Sequence, residues 1–182
     1  MTPVQDPLEQ QEPVTVDGFD VLDACHRQTI FTLGKLAALI SRLKSRGADA
    51  EARAMAREIV QHFSITARQH HEDEERHVFP KLLASGNPEI VQDVLRLQQD
   101  HGWLELDWME LRPQLDAVAE GNEGYDLDGL SKGAQLFTAL SRDHVALEEA
   151  CIYPEARARL RAGERREMGR EMAARRRMSR GD

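Results

Sequence analysis

Apolar side chains recur every three or four residues along four stretches of the chain, the period of a helix with one buried face. The first stretch runs from about Phe19 to Leu43 and aligns Leu22, His26, Thr29, Leu33, Leu36, Ile40 and Leu43. The second runs from about Asp49 to Phe79 and aligns Met55, Ile59, Phe63, Ala67, His70, Glu74 and Val78. The third opens at about Pro88, a residue suited to a first helical turn. It aligns Val94, Leu97, His101, Leu104, Trp108, Leu111 and Leu115. The fourth, from about Leu127 to Tyr153, aligns Leu130, Ala134, Phe137, Leu140, His144, Leu147 and Cys151. The segments "KSRGAD" and "EGNEGYD" break the pattern, with Gly47 as a helix stop. Short connections make neighbours antiparallel, so the pattern predicts an all-α, up-down-up-down four-helix bundle. Pro113 should kink the third helix or end it early. Three parts follow: a disordered lead over 1–18, the bundle over 19–160, and a basic, helix-prone tail over 161–182.

Composition agrees with helix. Apolar residues make up 41 % of the chain, charged residues 31 % and aromatics 5 %, a mixture that supports a core and favours helix over sheet. The longest purely apolar run, Leu36 to Ile40, is too short to span a bilayer. The lead has prolines and acids but neither the basic start nor the apolar stretch of a signal peptide. Cys25 and Cys151 make no disulfide framework, and a reducing, cytoplasmic setting is expected. The net charge is −8, yet the segment from Arg157 to Asp182 carries ten arginines against four acids, which leaves the preceding chain at about −14. That acidic body argues against nucleic acid as a partner.

The candidate chemistry lies in the stripes themselves. Each holds one histidine where a leucine is expected. A lone histidine on an apolar face is usually a hydrogen-bonded core residue; four of them, one per helix, are another matter. His26 and His101 lie about seven and thirteen residues from the starts of their helices, and His70 and His144 each lie nine before the ends of theirs. At about 1.5 Å per residue all four fall some 10–20 Å from one end of the bundle, in one layer. Neutral imidazole is the commonest protein metal ligand, and burying four without partners is costly.

The stretches "HHEDEERHVFP" and "HVALEEACIYP" align without a gap from His70 and His144. In each, a glutamate sits four residues after the histidine and shares its helix face: Glu74 with His70, Glu148 with His144. A glutamate buried there needs a cation or a proton. Two such glutamates on two helices can bridge two metal ions, each ion also taking two imidazoles and keeping room for a solvent bridge and one further ligand. The donors suit iron, zinc or manganese rather than calcium. The second copy has Val145 opposite His71, so this arrangement does not require His71. Glu75 and Glu149 are matched but rotated off the ligand face, where they support the ligands from behind or lie at the surface, with Glu149 an alternative to Glu148. His77 and Cys151 also match and are expected to face inward as core filler. The Glu-x-x-His motif of ferritin-like sites occurs only once, at Glu74 to His77, and "HEDEE" lacks the second histidine of the zincin motif.

These blocks, with His26 in "DACHRQ" and His101 in "QQDHGWLEL", resemble the hemerythrin-like, or HHE cation-binding, domain family over about Phe19 to Leu160. The resemblance implies a four-helix bundle around a carboxylate-bridged non-haem di-iron centre. Its ligands would be His26, His70, Glu74, His101, His144 and Glu148. Oxygen-carrying members have a second histidine one turn after the third-helix ligand. Glu105 stands there instead, either as a third carboxylate ligand or as a partner of His101. The set looks closer to the stress-response branch of the family, which handles nitric oxide, peroxide and iron–sulfur repair. The leading expectation is a protein that binds or senses O2, NO or peroxide. The alternatives are a catalyst of peroxide or NO reduction or of iron donation, which needs a redox partner, and a bundle filled by zinc or by nothing. Whether Glu105, His71 or His77 joins the site stays open, as does the oligomeric state.

Overall fold

A computed structural model describes residues 16–178, which are helical with no strand among them. The lead expected over 1–18 falls largely on residues outside those described. Helix α1 spans Gly18–Arg46, and the Asp17 carboxylate caps it by accepting from the Phe19 amide at 3.0 Å. Gly47 ends it with a positive φ of 68°. Helix α2 (Ala50–Gln61) starts on the Asp49 cap, runs through a π-helical turn (His62–Thr66) into α3 (Ala67–His77), and a short α4 (Phe79–Leu83) follows. Helix α5 spans Pro88–Glu120 and ends at Gly121 in the left-handed region. Helix α6 (Leu127–Leu147) passes through a second π-helical turn (Glu148–Ile152) into α7 (Tyr153–Arg159), and α8 spans Ala162–Met178.

Side-chain contacts show how the long helices pair. Lys35 meets Glu58 and Thr29 meets His62 between α1 and the α2–α3 rod. Ser64 meets Trp108 and Glu75 meets His101 between that rod and α5. Asp100 lies against His144, and Lys44 against Ser131, which closes the circle from α5 through α6 to α1. In the first two pairings the residue numbers run in opposite order, so those neighbours are antiparallel.

Two apolar clusters fill the interior. One gathers Leu33, Leu36, Ile59, Phe63, Trp108 and Phe137 among others. The other gathers Phe19, Leu22, Phe79, Leu97, Tyr153 and Met172. On every long helix the residues of the first cluster lie on one side, along the chain, of the histidine expected in the seam, and those of the second lie on the other. A polar seam therefore divides the core.

Two local expectations need correction. Helix α5 does not end early at Pro113 but continues to Glu120. Pro113 is on the exposed face, so water can reach the Met109 carbonyl that loses its amide donor there. Cys151 is exposed rather than inward. The π-helical turn takes up one extra residue, which rotates Cys151 outward while Ile152 and Tyr153 are buried.

Helix α8 packs back on α1 and α3 with Met168, Gly169 and Met172 buried. Arg175 and Arg176 both pair with the buried Asp73 carboxylate, and Arg165 pairs with Asp17 at 3.1 Å. A Cβ on Gly169 would collide with the Val16 carbonyl, whereas one on Gly163 would meet nothing. Gly169→Ala is therefore expected to destabilise the fold by roughly 1–3 kcal/mol in urea denaturation, and Gly163→Ala to be neutral or mildly stabilising.

Candidate metal centre

Each long rod contributes one imidazole to the seam: His26 from α1, His70 from α3, His101 from α5 and His144 from α6, all buried. The rings of His26 and His70 are 4.7 Å apart, and those of His101 and His144 4.9 Å apart. Between them lie Glu74 and Glu148, both fully buried. The two oxygens of Glu74 lie 3.4 Å from His70 Nε2 and 3.4 Å from His101 Nε2. Those of Glu148 lie 3.0 Å from His144 Nε2 and 3.1 Å from His26 Nε2. Each carboxylate thus spans imidazoles of two helices. Two overlapping groups result, His26–His70–Glu74–Glu148 and Glu74–His101–His144–Glu148, each with its donor atoms within 4.8 Å of one another.

These donors fit metal ions. Both oxygens of Glu148, one of Glu74, Nε2 of His101 and both nitrogens of His144 are buried without a hydrogen-bond partner. The nitrogens beside them come close without the geometry of a donated proton. Two ligands about 2.1 Å from one ion and at right angles lie about 3.0 Å apart, close to the observed spacings.

The outer ring nitrogens are held from behind. Nδ1 of His101 meets Glu75 Oε1 at 2.8 Å, and Nδ1 of His26 meets Glu149 Oε1 at 3.1 Å. Nδ1 of His144 faces Asp100 at 3.7 Å. Such carboxylates fix ring orientation and raise ligand basicity. The repeat in the sequence becomes a near two-fold relation in space. Tyr153 stacks on His26, with centroids 5.0 Å apart, as its counterpart Phe79 stacks on His101 at 5.6 Å. The relation breaks at two points in this surround. Cys25 precedes His26 where Asp100 precedes His101, and Nδ1 of His70 has no partner. The Tyr153 hydroxyl also donates to Glu74 Oε1 at 2.5 Å, which Phe79 cannot imitate for Glu148.

Burial and the like charge of Glu148 push Glu74 up to about 7. Burial works against protonation of His144, but the charge of Glu148 and the nearby Asp100 carboxylate outweigh it and raise that ring to about 10. Glu148 is held well below the usual carboxylate range: burial opposes this, and the charge of His144 prevails. Burial holds His70 and His71 well below the usual imidazole value. Burial, then Glu74, raises Tyr153 well above the ordinary phenol, so it stays a donor.

All six expected ligand candidates come together in the seam. Glu105 does not join them; it is half exposed and pairs with Arg68 at 3.6 Å. His77 turns to Glu171 of α8, 3.6 Å away. His71, which the repeat does not require, lies beside His101 and His144 with donor atoms within 4.8 Å. His62 escaped the sequence reading. It is buried, meets the Thr29 hydroxyl at 3.0 Å, and burial lowers it to about 4, so it is a neutral core residue. Its place one residue before Phe63 in the second stripe was the available signal. A pocket leads to the seam, bordered by His26, His70, His71 and His144 within, by Phe63, Trp108 and Phe137 along its side, and by Arg68 and Glu105.

Helical rods joined by a buried layer of shared imidazoles and carboxylates define a metal-binding protein. Residues 17–156 match the Hemerythrin HHE cation binding domain, and the chain belongs to that family. An uncharacterized protein of Haemophilus influenzae is 29 % identical over 171 residues, which is 93 % of this chain and 96 % of the relative.

Two outcomes are expected. Metal must displace the protons that His144 and Glu74 hold, and both groups are raised, so falling pH leaves more protons to displace. Zinc uptake should therefore release more protons and weaken between about pH 8 and about pH 6, as calorimetry in buffers of different ionisation enthalpy will read. Tyr153→Phe removes the donor to Glu74 and should cost the metal-free protein about 1.5–3 kcal/mol above about pH 8, where Glu74 is ionised, and less at about pH 5.

Proposed function

We propose that this chain is a non-haem di-iron protein that binds or senses a small ligand such as O2, NO or peroxide. Its rods are read as an up-down-up-down four-helix bundle over 19–160, with α8 clasped against it. The observation that carries the reading is the pair of fully buried carboxylates, each shared by imidazoles of two helices, with three of their four oxygens met by no proton donor. The ligand set is His26, His70, Glu74, His101, His144 and Glu148. Two iron ions held there would supply redox capacity and an open position for the small ligand.

The chain's own residues do the rest. Glu75, Glu149 and Asp100 hold three of the rings from behind, so the donors meet an incoming ion already aimed. Phe63, Trp108 and Phe137 give the approach an apolar side that admits small uncharged molecules more readily than ions. Two unpaired thiols suit a cytoplasmic, reducing setting. No helix among the described residues is long and apolar enough to cross a membrane. A second reading, a catalyst of peroxide or NO reduction, draws on Tyr153, whose hydroxyl lies 3.1 Å from His26 Nε2 and can hold or pass a proton.

Purified protein loaded anaerobically with Fe(II) should bind about two iron ions per chain and show an absorption spectrum that shifts with azide or NO. His70→Ala and Glu148→Ala should each weaken iron binding by more than about tenfold and lower the stability of the loaded protein by about 3–5 kcal/mol. Zinc found in place of iron, with no spectral response to azide or NO, would sink the reading.

A further inference from the structure

Helix α5 is apolar on two opposite sides. Leu97, Leu104, Leu111 and Leu115 are buried in the core. Leu95, Trp103, Leu106 and Met109 face away from it and are 54 %, 52 %, 52 % and 64 % exposed. At about 100° per residue, Leu95, Gln99, Gly102, Leu106, Met109 and Pro113 fall on one outer stripe, spaced alternately four and three residues apart, and all are exposed. That alternation is the pattern by which two helices pack along their lengths, here over about 27 Å. Gly102 interrupts the stripe in mid-helix, where glycine weakens a helix. A Cβ there would meet nothing within 4 Å, so no close approach inside the chain calls for glycine. Leu136 of α6, also exposed, borders the same surface hollow as Glu110 of α5 and widens the apolar patch on that side.

We propose that the outer face of α5 docks on the same face of a second copy of this chain, antiparallel and about a two-fold axis. Nothing in this depends on what the buried seam binds. The stripe complements itself in shape. In an antiparallel pair centred near Leu104, Leu106 of each copy lies over the bare backbone of Gly102 in the other, Gln99 meets Met109, and Leu95 meets Pro113. Trp103 then meets Trp103 of the second copy near the axis. The flanking charges complement each other in the same register. Arg96 of each copy faces Glu110 of the other, and the two-fold axis makes that contact twice. Arg96 is 56 % exposed, with Asp100 of its own helix 3.8 Å away. Glu110 makes no ion pair among the described residues, and its charge adds to burial in pushing the neighbouring Asp107 carboxyl up. A cation supplied by a second copy answers that negative corner. A contact made by one helix from each chain is small, so the dimer should form reversibly at roughly 10–100 µM.

The test is sedimentation of the full chain as purified, from about 5 to about 500 µM. Salt of about 0.15 M screens most of the −8 charge that each copy carries. Wild type should pass from monomer to dimer across this range. Leu106→Glu puts a charge into the apolar stripe and should weaken association by at least about tenfold. Arg96→Glu and Glu110→Arg each set like charges face to face and should each weaken it by about tenfold or more. An equimolar mixture of those two variants restores opposite charges at both contacts and should dimerise close to wild type. So should a single chain that carries both changes. A loss of fold would not be mended by mixing, and circular dichroism checks that the helices persist in every variant. A wild type that stays monomeric at every concentration would overturn the proposal. So would a dimer indifferent to Leu106→Glu, which would place the contact on another face, or a mixture that associates no better than its components.

Discussion

The interior depends on how six ionisable side chains are kept in one buried layer. Four imidazoles and two carboxylates in an apolar core are tolerable only if each charge or lone pair faces a complement. The chain achieves this by sharing. Glu74 and Glu148 each reach the ring on their own rod and one on a neighbour, so the α3 rod is tied to α5 and the α6 rod to α1. The seam therefore sets helix register more firmly than the leucines around it, which can exchange neighbours at modest cost. The apolar clusters on either side supply the burial, and the seam supplies the alignment.

What the layer demands explains several local departures from regular helix. The π-helical turn beginning at Glu148 lets that residue point inward while the next, Glu149, reaches the outer nitrogen of His26 from a half-exposed position. The same extra residue turns Cys151 to solvent and brings Tyr153 against His26.

Much of this was legible in the residues. One histidine per stripe, at matching distances from the helix ends, gave the common layer, and the i+4 spacing of Glu74 and Glu148 gave the shared faces. The supporting role of Glu75 and Glu149 was visible only as two open choices, because which neighbouring ring a rotated carboxylate reaches depends on helix packing. Asp100 carried no signal at all; its contact with His144 exists only because α5 and α6 lie side by side. Cys151 was misplaced because periodicity assumes a regular turn and cannot foresee a π-helical one. Pro113 does not end its helix, because the rule against proline in a helix interior weakens on a face open to water. His71 was set aside by comparing the two repeats, a test that detects what the halves share and is blind to what one half does alone.

That blindness has a counterpart in the architecture. A frame built from two related halves gives positions near the centre a twin, and in the proposed two-ion reading each twin would lie against a different ion. A change at one member of a pair, such as Cys25 against Asp100, would then adjust one ion's surroundings more than its neighbour's. In that reading the duplicated scaffold would be a two-channel instrument, in which affinity and reactivity are set separately although both ions share the same bridging groups.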